Sequence, residues 1–273
     1  MLPRVLAIQN SESSGLGRFQ HWWTADGLDL QVVRAFAGEP IPEPTDYQAL
    51  VLLGGGLLPD ADATAGWLPR ERAVTAAAVH AGMPVLGICL GGQLLAHTCG
   101  GAVAGGHGPP ESGSTELTRL AAADGDPLFG PLPATFRAIE HRVDAITALP
   151  ANAVWLASSR ACPIQGFRIG RCAWGLQFHP EVGADRLVHW NRERLRQQGF
   201  DPDQLLTQAR LDEPAAQTLW RGFAGRFARI VRERREGDRF GTPAEGRNSV
   251  RAGVDDDAAH GATSAGAGTV QQV

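Results

Sequence analysis

The 273-residue chain contains no lysine: all 25 of its basic residues are arginine. A P-loop needs its Lys on the phosphates and a Schiff-base enzyme needs a primary amine, so both chemistries are excluded. Net charge is scarce as well. The balance of 25 basic against 29 acidic residues gives −4, too weak and of the wrong sign for a nucleic-acid surface. The four cysteines, Cys89, Cys99, Cys162 and Cys172, form no C-x-x-C pair, which leaves neither a disulfide framework nor a zinc site with support, and no metal is expected. No apolar run reaches membrane-spanning length. The charge-free stretch between Arg72 and Glu111 is broken by Gly82, Pro84, Gly87, Gly91 and Gly92 and carries His80, Gln93 and His97, so burial inside a protein is expected and a membrane is not. The N-terminal MLPRVLAIQN has one Arg, a short apolar run and no small-residue cleavage site, and is read as lacking a signal peptide, which points to a reducing cytoplasm.

What is present is a globular composition, 43% hydrophobic and 20% charged. The element order begins strand, helix, strand, strand, helix, strand, helix. Leu2 to Ile8 is an apolar run, Leu16 to Ala25 carries Leu16, Phe19, Trp22 and Trp23 at helical spacing, and Asp29 to Phe36 and Ala49 to Leu53 are further strands. Arg70 to Ala81 is an Ala-rich helix stopped by Gly82 and Pro84. The fully apolar Val85 to Ile88 follows, a strand buried on both faces. Such alternation predicts an α/β fold with an open, mostly parallel sheet and helices on both faces. From about Ala102 to Phe178 short β-like runs (STELTRL, ATFRAI, AVWLAS, IQGFRI, CAWGLQF) predict a small antiparallel extension. Helices are expected again over Ala184 to Gln198 and Pro214 to Glu236, the latter with Leu219, Trp220, Phe223, Phe227, Ile230 and Val231 in one stripe and Arg226, Arg229, Arg232, Arg234 and Arg235 on a solvated face. Residues 1–236 are thus expected to form one domain. Residues 237–273, with Phe240 their only aromatic, are expected to be a disordered tail that cannot bury enough apolar surface to fold.

The chemistry-bearing feature is Pro84-Val-Leu-Gly-Ile-Cys89-Leu-Gly-Gly-Gln-Leu-Leu-Ala96. A buried strand enters a G-x-C-x-G turn that opens a helix, the arrangement of a nucleophile elbow carrying sulfur, and the positive end of the helix favours a thiolate. Taken alone the motif fits a small buried Cys equally well. The segment Gly175-Leu-Gln-Phe-His179-Pro-Glu181-Val adds a base: on extended backbone His179 and Glu181 share a face, which lets a carboxylate hold an imidazole in one tautomer. The strand ending in Gly54-Gly55-Gly56 offers backbone N–H groups that, with the N–H of Leu90, suit an oxyanion hole at the carboxyl edge of the sheet.

These three motifs, in this order, resemble the class I (triad-type) glutamine amidotransferases, over about residues 3 to 195. The resemblance implies a flavodoxin-like fold, Cys89 as nucleophile, His179 as general base and acid, Glu181 as its orienter, and Leu90 with Gly55 or Gly56 as oxyanion donors. It also implies Gln93 in the glutamine pocket and His141, of the segment His141-Arg-Val-Asp144, near the substrate; Gln165-Gly-Phe-Arg168 is similar to a further family segment. Two departures stand out. Leu57 follows the glycines where a Pro is usual, and Glu140 occupies a place where a small polar residue is common; this extra carboxylate either binds an ammonium or faces solvent.

The implied reaction is hydrolysis of the γ-amide of glutamine through a thioester, with no metal and no organic cofactor. With no ATP-activating motif in the chain, the implied partner is a separate ammonia-accepting synthetase; the alternative is a hydrolase or peptidase acting on γ-glutamyl amides, the released amine being the product. A dienelactone-hydrolase-like enzyme also uses G-x-C-x-G, but its triad runs Cys, Asp, His, whereas here Glu181 follows His179. A catalytically inactive binding or regulatory module would be expected to have lost one of Cys89, His179 and Glu181.

Overall fold

The computed structural model of the chain describes the backbone of residues 1–240 and the side chains of residues 1–235. Five strands form its parallel sheet: β1 (Arg4–Gln9), β2 (Asp29–Arg34), β3 (Ala49–Leu52), β4 (Val85–Ile88) and β11 (Ala173–Leu176). Between β4 and β11 lie β5 (Ala102–Ala104), β6 (Glu111–Arg119), β7 (Thr135–Arg142), β8 (Ala145–Ala148), β9 (Ala153–Ser158) and β10 (Gly166–Ile169). The nine-stranded sheet runs β2-β1-β3-β4-β11-β10-β9-β6-β7, and β5 pairs β8 separately. Its first five members give the doubly wound order 2-1-3-4-5, and β10, β9, β6 and β7 extend it antiparallel. CAWGLQF therefore does not belong to the extension: its strand returns to the centre of the sheet as the fifth parallel member, beside β4, where both its faces are buried.

The helices are α1 (Arg18–Ala25), α2 (Leu68–His80), α3 (Leu90–Thr98), α4 (Arg192–Gln197) and α5 (Pro202–Phe240). Alternate strand residues face opposite sides, so two cores result. Phe19, Trp22 and Trp23 of α1 and Trp220, Phe223 and Phe227 of α5 pack over Val5, Ala7, Val51, Leu86 and Ile88. On the other face Leu68, Val74 and Ala78 of α2 and Leu90, Leu94 and Leu95 of α3 cover Leu6, Ile8, Leu50, Leu52 and Val85. The aromatic core also satisfies its polar atoms: Trp23 Nε1 donates to Ala224 O at 3.0 Å while its ring meets Phe227 at 5.4 Å. Burial of each such ring contributes about 2–3 kcal/mol.

Four expectations are corrected. Proline favours the first turn of a helix, which put a start at Pro214; the helix instead begins at Pro202 and carries Pro214 in its interior, forgoing one backbone hydrogen bond. The expected helix over Ala184 to Gln198 is split into a 3₁₀ segment, Ala184–His189, and α4, because Trp190 is extended and Asn191 caps a new helix by accepting from Arg194 N at 2.9 Å. The α5 arginines do not form a free solvated face. Arg226 donates to Leu128 O at 2.9 Å, Arg232 to Asp26 O at 2.6 Å and Arg234 to Gly82 O, so they tie the helix to the loops at the edge of the sheet, while Arg229 pairs with Glu233. The tail is expected from residue 237, but residues 237–240 continue α5, and the remainder lies outside the described residues.

Candidate active site

The sequence Gly87-Ile88-Cys89-Leu90-Gly91-Gly92 contains glycine where the backbone leaves no room for a side chain. A Cβ on Gly87 would lie 2.3 Å from Gly91 O, one on Gly91 2.0 Å from Leu52 O, and one on Gly92 2.5 Å from Leu176 O. The first turn of α3 therefore sits directly on strands β3 and β11. Between these contacts Cys89 is forced to φ 53°, the sole positive φ at a non-glycine among the described residues. Its carbonyl accepts from Gln93 N at 3.0 Å and its N–H donates to Leu176 O at 2.8 Å, so the strained turn is held from both sides. The thiol stands at the N-terminus of α3, in the cavity.

His179 enters from the end of β11. Its N–H donates to Ile139 O at 2.8 Å, a lone antiparallel bridge to β7, and the chain then turns. His179 and Glu181 meet within this turn, not along the extended segment expected from their spacing. His179 Nδ1 lies 2.8 Å from Glu181 Oε1, which leaves Nε2 for Cys89, the thiol that lines the same cavity. Burial pulls the His179 pKa down, but the charge of the Glu181 carboxylate, followed by the nearby Cys89 sulfur and the hydrogen bond to Glu181, outweighs it and holds it well above the ordinary histidine value. Glu181 is almost wholly buried, and its carbonyl is gripped by Arg18 N at 3.0 Å. That approach requires Gly17, at φ 52°, where a Cβ would lie 2.1 Å from the same oxygen.

Gly54 brings the loop after β3 against this pair. A Cβ there would be 3.3 Å from His179 Cε1 and 3.6 Å from Cys89 Cβ, while at Gly55 it would press on Leu90 Cδ2 at 2.9 Å. Gly55 and Gly56 line a cavity of about 420 Å³ together with Cys89, Gln93, His141, His179 and Glu181. Gln93 is buried and its Nε2 donates to Gln177 Oε1 at 3.2 Å. Thus Cys89, His179, Glu181, Gly55, Gly56, Gln93 and His141 converge on one space, with Leu90 just behind Gly55. Glu140 does neither of the things its position in the sequence suggested. It is fully buried, lies outside the cavity lining, and burial followed by the charge of Glu111 pushes its carboxyl up to about 8.

Several lining residues escaped the sequence reading. Ser11, Ser13 and Ser14 follow β1, and Ser14 Oγ donates to Gly54 O at 2.6 Å; the run NSESSG at the edge of the sheet was the available signal. Arg186, Trp190 and Arg194 form a further part of the cavity wall. Trp190 stacks on His141 at 4.1 Å and 14°, and burial of that ring, then the positive charges of His179, Arg194 and Arg186, depress the His141 pKa. The only signal for this wall was Asn191 as an N-cap.

The family profile of class-I glutamine amidotransferases matches residues 21–188. The chain belongs to that family. One relative, from Natronomonas pharaonis, is a single subunit of a glutamine-hydrolyzing GMP synthase and is 33% identical over 184 residues, 66% of this chain and 89% of the relative. The glutamine-hydrolyzing GMP synthase of Aeropyrum pernix is 34% identical over 170 residues, 62% of this chain but 30% of that protein, and the corresponding GMP synthase subunit of Pyrococcus abyssi is matched over 52% of its length. The chain thus spans from under a third to about half of these latter relatives. Among solved structures, a glutamine amidotransferase from Thermotoga maritima superposes with a TM-score of 0.75 at 29% identity, covering 85% of this chain and 99% of the other. Among the described residues no helix is long and apolar enough to cross a membrane, and no three His, Cys, Asp or Glu side chains are grouped to hold a metal ion.

Proposed function

We propose that this amidotransferase hydrolyses the γ-amide of glutamine to glutamate and ammonia and delivers the ammonia to a separate synthetase. One observation carries the reading: a strained Cys89 at a helix N-terminus, sharing one cavity with a histidine that a buried carboxylate holds in place. The Cys89 thiolate adds to the amide carbon, and the charge on the amide oxygen is met by the N–H of Leu90 and that of Gly55 or Gly56. The C–N bond breaks as imidazolium His179 protonates the nitrogen, releasing ammonia and leaving a γ-glutamyl thioester on Cys89. Water then attacks the thioester, His179 takes its proton, and glutamate leaves as the thiolate reforms. The raised His179 pKa suits the acid step, since the Glu181 charge favours the protonated ring.

The relatives from Natronomonas and Pyrococcus support a separate synthetase as partner, since each is one subunit of an enzyme that joins glutamine hydrolysis to the synthesis of GMP. A second reading, hydrolysis of γ-glutamyl amides with the amine as product, is favoured by one feature: the cavity of about 420 Å³ that holds Cys89 is also lined by Arg186, Trp190 and Arg194, room and charge beyond what a departing ammonia needs. Glutamate release by the purified chain decides between them. Turnover of glutamine that rises on adding a synthetase supports the first; strong unaided turnover of substituted γ-glutamyl amides supports the second; full activity in Cys89→Ser overturns both.

A further inference from the structure

The β1–β3 ladder stops at Ile8 and Leu52, with one further bond from Leu53 N to Ile8 O at 3.0 Å. Past that point the chain of β3 leaves the sheet as Gly54-Gly55-Gly56, and the next carbonyl, Leu53 O, has lost its strand partner. A side chain replaces it: Asn10 Nδ2 donates to Leu53 O at 3.1 Å. The same nitrogen donates to Glu71 Oε1 at 3.0 Å, and Asn10 Oδ1 accepts from Trp67 Nε1 at 2.8 Å. All three hydrogen-bonding valences of the amide directed at its neighbours are used, and the reverse orientation would set its NH₂ against the Trp67 N–H. Asn10 and Glu71 are both buried, Glu71 completely. Burial pushes Glu71 up to about 8, so near neutrality it is an uncharged acid that accepts through one oxygen. A Cβ on Gly55 would lie 3.0 Å from Asn10 Cβ, so the base of the Asn10 side chain also packs directly against that glycine.

We propose that Asn10, clamped by Trp67 and Glu71 of the α2 end, is the positioning residue that aims the Gly54–Gly56 amides at the reacting oxygen. None of the three lines the cavity. They act by fixing the direction in which the backbone leaves β3, and α2 supplies the rigid support. The inference rests on the reading of this loop as an oxyanion hole, and its effect belongs to kcat, because donors that engage only the transition state leave substrate binding unchanged.

The test compares Asn10→Ala, Trp67→Phe, Glu71→Leu and Glu71→Gln in the full chain, by glutamine hydrolysis, with the partner synthetase wherever wild type needs it, and by hydrogen–deuterium exchange of the segment holding residues 53–56. Asn10→Ala is expected to lower kcat on the order of 10-fold to 100-fold with KM unchanged, and to speed exchange in that segment. Trp67→Phe, which keeps a ring but loses the donor, tests the clamp should Asn10→Ala fail to fold; smaller changes of the same kind are expected from it and from Glu71→Leu, while Glu71→Gln, which retains an acceptor, restores both readouts. Faster exchange with unchanged kcat, or a loss of kcat in Glu71→Gln equal to that in Glu71→Leu, overturns the proposal. Should wild type release no glutamate under any condition, the reading of the function falls, and exchange alone then decides whether the clamp holds the loop: rates unaltered in Asn10→Ala or Trp67→Phe overturn it.

Discussion

His179 Nδ1 lies 2.8 Å from Glu181 Oε1 across a single intervening proline, so the imidazole is oriented by its own chain and not by a distant element. The carboxylate is nearly inaccessible to solvent, and its charge is the leading influence raising the His179 pKa. Glu181→Gln keeps an acceptor but removes that charge. It is expected to bring the His179 pKa down and to move the alkaline limb of the kcat/KM profile to lower pH, with kcat falling on the order of 100-fold. A pH–rate series on both proteins checks this; an unmoved alkaline limb would show that the charge is not what holds the proton.

Glycines in the site divide by what surrounds them. Gly91→Ala drives a methyl to 2.0 Å from the Leu52 carbonyl, backbone against backbone, and is expected to cost several kcal/mol or abolish folding. Gly56→Ala meets open space and is expected to leave the thermal unfolding midpoint within a few degrees of wild type. Gly54→Ala presses on His179 Cε1 at 3.3 Å and is expected to fold but lose activity. Thermal melts and glutaminase rates of the three variants separate these outcomes.

Stability should depend on pH through the buried acids. Glu71 has a folded pKa of about 8 against an ordinary 4.5, so between those values the unfolded chain gives up a proton that the folded chain keeps. Stability contributed by this group is therefore full below about pH 4.5, declines as pH rises, and levels off above 8; by pH 7 the loss is on the order of 3 kcal/mol. Glu140 acts in the same direction. Glu71→Gln is expected to flatten the decline in denaturant midpoint between pH 5 and 8, and a slope equal to that of wild type would contradict the assignment.

Much of this was legible in the sequence because the relevant signals are local. Glycines bracketing Cys89 announce a turn with no room for side chains, and Gly91 against Leu52 O is its physical content. The alternation of apolar runs with helices predicts the parallel sheet that β1 to β4 and β11 form. Less legible was whatever depends on distant pairing. Nothing near Ala173–Leu176 says that this strand crosses back beside β4, and Asn10, Trp67 and Glu71 are separated by up to 61 positions. Trp190 looked like part of a helix because its neighbours are helical; its extended backbone follows from the Asn191 cap one residue later.

The part of the cavity wall at Trp190 carries its own expectation. Trp190→Ala removes the surface on which His141 stacks, and KM for the preferred substrate is expected to rise roughly 10-fold or less, with little change in kcat. Initial-rate kinetics on glutamine and on a γ-glutamyl amide with a charged amine half compare the two substrates; a larger effect on the amide favours the hydrolase reading, and no effect on either removes this wall from the site.

The most direct test is to find the covalent intermediate. Rapid acid quench of the working enzyme with isotopically labelled glutamine, followed by peptide mass spectrometry, should place a γ-glutamyl thioester on Cys89 and none on Cys99, Cys162 or Cys172, with no adduct in Cys89→Ala. Undiminished glutamate release by Cys89→Ala, or label accumulating on a different residue, would contradict the account.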